Sequence, residues 1–159
     1  VRRVLLWTWE LPQSLLGLGL YGVQRLRSKV HSSEPTADGR TLVESEGIGI
    51  SLGAFVFWSR RDAFGHPFDV PLIRAHELGH TVQSRRLGWL YLPTVGIASS
   101  SRAVFAMAWQ RRHGRPWPRY FDAWPESAAD WHGGVRRNPE GKRELPEGSP
   151  LDPDPMMGC

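Results

Sequence analysis

The chain has 159 residues, 40% of them hydrophobic, and a formal net charge of +4. That is enough for one domain with its own core without disulfides, and the single cysteine, Cys159, excludes both a disulfide framework and a cysteine-rich zinc site. The basic excess comes from scattered arginines such as Arg60-Arg61 and Arg111-Arg112, with no nucleic-acid module, so no nucleic-acid partner is expected.

The most apolar stretch, Val4 to Val23, follows Arg2-Arg3. Glu10, Gln13 and Ser14 fall on one helical stripe, Pro12 breaks the hydrogen-bond ladder, and no small-residue cleavage site follows cleanly. Residues 1–27 are therefore read as an N-terminal apolar helix belonging to the core. A membrane-embedded or interfacial helix through residues 4–23 stays open, because the length just reaches a bilayer span. A cytoplasmic or membrane-associated location is expected, rather than secretion by a cleaved signal peptide. The chain opens on Val1 and not Met, which fits a fragment, a processed product or an alternative start codon. Eight tryptophans fit a packed core and also an interfacial surface.

Arg25 to Arg40 is polar and reads as loop and turn. From Thr41 to Trp58, alternating and β-branched residues jointed by glycines predict two or three short antiparallel strands. Such strands ahead of the next helix would line a cleft, and an open strand edge there would hold an extended peptide by main-chain hydrogen bonds. Ser59 to Val70 is a loop.

The next segment, Arg74 to Gln83, carries H-E-x-x-H as His76-Glu77-Leu78-Gly79-His80. Asp69 is placed to cap the helix, Pro71 suits its first turn and Gly88 its end. Residues four apart on a helix lie about 40° apart in projection, so His76 and His80 share a face on which two imidazoles can bind one metal ion. Glu77 borders that face. Its carboxylate cannot easily reach the ion, but it can hold a water there and take its proton.

A short apolar connector, Trp89 to Pro93, leads to a helix expected over about Ser99 to Arg112, packing under the metal helix. His113 to Pro118 ends it. Two imidazoles leave a tetrahedral ion short of a third protein ligand, and the best donor is Glu126 in the short helix Pro125 to Trp131. Asp130, one turn on, would accept a hydrogen bond from the far nitrogen of a histidine ligand and fix its tautomer. Residues 136–159, rich in proline, read as a disordered tail beyond the domain at 28–135.

His76 to His80 followed by Glu126 and Asp130 resembles the gluzincin arrangement of zinc metallopeptidases, the thermolysin-like class. The tract His76 to Pro93, the segment Trp124 to Val135 and the block Trp9 to Gln13 are also similar to small uncharacterised bacterial zincin-like proteins, whose relatives form C-terminal toxin modules. The resemblance covers about residues 7–135. It implies a zincin-like α+β fold, with the metal-binding helix packed on helices and a small antiparallel sheet. It further implies a Zn2+ cofactor on His76, His80 and Glu126, Glu77 as general base, and a peptide or protein substrate. Thermolysin-like enzymes also stabilise the oxyanion with a histidine or tyrosine; Tyr120, His132 and His113 are the chemically suitable side chains. The expected activity is that of a zinc metallopeptidase, with an inactive zincin-fold binding protein and a membrane-associated protease as the alternatives.

Overall fold

The computed structural model describes residues 2–148. Among them, five α-helices surround a four-stranded mixed sheet, with a separate two-stranded ribbon near the C-terminal end, so the class is α+β. The part of the expected tail at residues 149–159 lies outside the described residues.

The N-terminal apolar stretch forms two helices, α1 (Arg2–Leu6) and α2 (Leu11–Leu26). Pro12 lies in the first turn of α2, where its missing N–H costs nothing, so it starts a helix instead of kinking one. The stretch is core only in part: Leu6 is buried, and Leu20 and Tyr21 pack against the same cluster. The side chains that α2 buries are Gln13, Ser14, Gly17 and Gln24, while Leu15, Leu16, Leu18, Val23 and Leu26 are exposed. Among the described residues, no helix is long and apolar enough to cross a membrane.

β1 (Val30–Pro35) and β2 (Thr41–Ser45) form an antiparallel hairpin across the stretch read as loop. β1 is a solvent-exposed edge strand, so it lacks the apolar alternation by which a strand is recognised. The chain then passes outward to β3 (Ile50–Leu52) and returns as β4 (Phe55–Trp58), which inserts between β2 and β3 in the order β1-β2-β4-β3. β4 is antiparallel to β3 and parallel to β2, so the sheet is mixed and the all-antiparallel expectation is corrected.

Period-two alternation in β4 sorts the core. Phe55 and Phe57 pack with Leu6, Val43 and the partly buried Leu20 and Tyr21, on the α2 side. Val56 and Trp58 pack with Leu42 and Ile73, on the side of α3 (Val70–Leu87). The bounds of α3 follow local signals: the Asp69 side chain accepts the Leu72 N–H at 3.2 Å, and Gly88 at φ 53° ends the helix.

Past a 3-10 turn (Gly88–Leu90) and a π turn (Leu92–Gly96) comes α4 (Ile97–His113). It does not pack under α3 as expected. Of its side chains only Gln110 is buried, and α4 forms the opposite wall of a cleft over α3. α5 (Glu126–Gly133) packs directly on α3. A methyl group built on Gly79 would stand 1.8 Å from the Ala129 carbonyl oxygen, and one on Gly133 2.0 Å from that of Ala75. Glycines at both crossing points thus let the two backbones touch.

The tail expectation is corrected for its first half. Arg136–Arg137 (β5) and Arg143–Glu144 (β6) pair antiparallel, and this ribbon folds back onto α5 through Arg143.

Candidate metal centre

α3 supplies His76, Glu77 and His80 from one stretch of helix, and the contact with α5 brings the first residue of that helix, Glu126, against them. Ligand atoms of His76, His80 and Glu126 all lie within 4.8 Å of one another, and all three residues are buried. The Glu126 Oε2 atom is 3.0 Å from His76 Nε2 and 3.4 Å from His80 Nε2.

The far nitrogens are both engaged. His76 Nδ1 is 2.8 Å from Asp130 Oδ1, and His80 Nδ1 is 2.7 Å from Gln83 Oε1. Both partners are oxygen acceptors, so each Nδ1 carries the proton and each Nε2 faces Glu126. A charged ring donates from Nε2 to the carboxylate, and a neutral one offers its lone pair beside the carboxylate to a cation. Glu126 Oε1 is likewise buried with no hydrogen-bond partner. Two imidazoles and a carboxylate are a donor set that zinc accepts, so these residues fit the ion that the sequence implied.

The titration behaviour has the same origin. Burial disfavours a charged His76, but hydrogen bonds to Asp130 and Glu126 and the charge of Glu77 outweigh it, and its pKa is pushed up to about 9. Burial works to raise Glu126 as well, yet the hydrogen bonds from both histidines hold it well below the carboxylate range. The centre therefore attracts positive charge. Glu77 behaves in the opposite way: burial dominates and raises its pKa, although both histidines pull it down.

The supporting contacts extend beyond Asp130. The Arg143 Nε and Nη2 atoms donate to the two Asp130 oxygens at 2.8 and 2.7 Å, with the guanidinium 3.4 Å above the Phe121 ring, which packs edge-on against His76. Gln83 donates its amide to the Pro125 carbonyl at 3.0 Å, so it ties the second histidine to the start of α5. Ser51 on β3 donates to the Glu77 main-chain carbonyl at 2.5 Å and lies 3.1 Å from Glu77 Oε2.

Two cavities, of about 880 and 370 Å3, share Gly49, His76, Glu77, Ala103 and Tyr120 as lining and open on either side of the centre. The larger is walled by aliphatic side chains and by the outer strand β3, the smaller by aromatic ones including Phe64, Trp117 and Phe121.

Of the oxyanion candidates, only Tyr120 lines these cavities. Burial, with the charges of Glu126 and Glu77, raises its pKa and keeps its hydroxyl protonated. His132 is on the outside of α5, 3.5 Å from an Arg86 nitrogen, and His113 stacks on Trp109 at the end of α4. Neither reaches the centre.

Sequence reasoning missed Gln83, Ser51 and Arg143. Gln83 had a signal, since it lies three residues after His80 and one helical turn brings it alongside. Arg143 had none. No family model, curated protein or solved structure matches the chain.

Proposed function

We propose that the protein is a zinc-dependent metallopeptidase of zincin type, with the ion held by His76, His80 and Glu126. The reading rests on one observation above all: a buried Glu126 carboxylate with an unpartnered oxygen, faced by two imidazoles whose other nitrogens are already bound. A zinc ion held there would lower the pKa of water toward neutrality and polarise a substrate carbonyl.

Glu77 is the general base. Its raised pKa suits a group that takes the proton of the attacking water and passes it to the leaving amine. Ser51 fixes its rotamer. Asp130 and Gln83 hold the two imidazoles in the tautomer that directs Nε2 inward. Tyr120 stays protonated at neutral pH and is the donor for the developing oxyanion, whereas the Tyr91 hydroxyl is committed to the Ser51 carbonyl at 3.1 Å. β3 is an edge strand of the sheet and lines the larger cavity, so an extended peptide in that cavity would lie along it. Aliphatic and aromatic walls on the two sides of Glu77 favour a substrate with apolar side chains flanking the scissile bond.

Elemental analysis and a quenched-fluorescence peptide library test the reading together. The parent should carry one equivalent of zinc and cleave; Glu126→Ala and His80→Ala should lose both properties. Glu77→Gln should keep the metal and lose at least ~100-fold in turnover. A Glu77→Gln protein as active as the parent, or a zinc-loaded parent that cleaves nothing, would end the assignment.

A further inference from the structure

We infer that the protein docks on an anionic lipid surface through the outward face of α2, with the mouth of the cleft turned to the bilayer. α2 is inverted relative to an ordinary surface helix. Every side chain from Leu11 to Gln24 that can hydrogen-bond is turned inward: Gln13, Ser14 and Gln24 are buried, and Tyr21 stacks on Phe55 at 5.4 Å. Leu15, Leu18, Val23 and Leu26 point to solvent with 53%, 46%, 44% and 88% of their surface exposed.

The inner side is tightly packed at one point. The Leu52 carbonyl comes so close that a methyl group on Gly17 would stand 2.6 Å from it, so no leucine can stand at that position, while Leu20 packs against the core beside it. No such constraint demands leucines on the outer face, where polar residues would be the default. Their presence calls for an apolar environment.

The apolar surface continues to the site. Leu16 and Leu20 of α2 and Ile97 and Val104 of α4 line the same cavity as His76 and Glu77. Beside the start of α2, the Trp9 and Trp89 indole N–H groups donate to the Arg85 and Thr8 carbonyls, each at 2.9 Å, while 47% and 59% of these residues stays exposed. Indoles with a satisfied polar edge and a free apolar body suit the interfacial layer of a bilayer.

Charge selects lipid over protein as the occupant. Arg25 and Arg27 at the end of α2 are exposed, and neither pairs with a carboxylate among the described residues. A protein partner ordinarily supplies about one hydrogen bond per 100–200 Å2, and between Leu15 and Val23 this face exposes no hydrogen-bonding side chain. An anionic bilayer requires none and supplies the counter-charge. The 16 residues of α2 span only about 24 Å, so the helix lies in the interface plane and does not cross it.

The test needs no peptidase activity and so stands apart from that reading. The full chain is sedimented with vesicles of pure phosphatidylcholine or of phosphatidylcholine mixed with phosphatidylglycerol, and indole fluorescence is followed. The parent should bind the mixed vesicles, with a blue shift, and salt should weaken binding. Leu15→Gln/Leu18→Gln, which leaves the core and the cleft untouched, should bind at least ~10-fold more weakly with an unchanged circular dichroism spectrum. Arg25→Gln/Arg27→Gln should lose on the order of fivefold per charge on mixed vesicles only. Failure of the parent to bind mixed vesicles would overturn the inference, as would leucine variants that bind as well as the parent. Self-association that the leucine variants abolish, without vesicle binding, would assign the face to a second copy instead.

Discussion

Gly79→Ala separates a helix held by its own propensity from one positioned by contact. Alanine in place of glycine inside a helix ordinarily stabilises by about 1 kcal/mol. At position 79 the added methyl would meet the Ala129 carbonyl oxygen at 1.8 Å, against an ordinary carbon–oxygen contact of about 3.4 Å. α5 must then retreat by roughly 1.5 Å, and forced overpacking of this kind costs about 3 kcal/mol, for a net loss of about 2 kcal/mol. Glu126 sits one turn before Ala129 on α5 and moves with it. A metal site tolerates ligand displacements of only about 0.2 Å, so zinc affinity should fall at least ~10-fold. Gly22→Ala is the control, because a methyl there meets nothing within 4 Å and only the propensity gain remains. Urea unfolding followed by circular dichroism gives the stabilities, and competition with a chromogenic chelator gives the affinities. A Gly79→Ala protein as stable as Gly22→Ala, or one with parental zinc affinity, would refute the claim that backbone contact between α3 and α5 sets the site.

Arg143→Ala should free Asp130 to turn from His76 and weaken zinc binding about 10–100-fold by chelator competition, with little change in helix content. Gln83→Leu should do likewise through His80, since leucine cannot accept from Nδ1. In zinc-stripped protein, His76 is raised from 6.5 to about 9, so its contribution to stability is complete below pH 6.5 and lost as pH rises through 9. The thermal midpoint of stripped protein should therefore fall across that window relative to zinc-loaded protein in paired calorimetric scans; a relative rise would contradict the charge balance described for the centre.

What could be read from the sequence was what local chemistry determines. Asp69, Pro71 and Gly88 set the limits of α3 through capping, and the four-residue spacing of the histidines put both on one face. Glu126 and Asp130 could be placed only by asking what a metal ion would still lack, and the structure brings both to the histidines. The orientation of α2 was not legible, because its leucines follow the same helical period whether they face a core or the outside. β1 was hidden by its exposure. Arg143 lies in a proline-rich charged stretch whose composition resembles a tail; it reaches Asp130 because the β5–β6 ribbon turns back, a long-range contact that leaves no periodic trace.

The N-terminal block and the candidate metal centre are joined through α3. The buried Glu10 carboxylate pairs with the buried Arg40 guanidinium at 2.9 Å and also accepts from Ser84, while Gln13 donates to Ser84 Oγ at 3.1 Å and to the Gly88 carbonyl at 3.0 Å. Trp9 caps the same end of the helix by its bond to the Arg85 carbonyl. Burying such a pair gains little net stability, since desolvation offsets most of the attraction, and apolar packing of the same volume would serve that end as well. Directional bonds differ from apolar packing in fixing rotation about the helix axis. Ser84 is one residue from Gln83 and four from His80, so a rotation of α3 that broke the Glu10–Ser84 contact would also swing both imidazoles away from Glu126. The polar inner face of the N-terminal helices thus explains two features at once: it indexes α3, and it leaves the leucines of α2 on the outside.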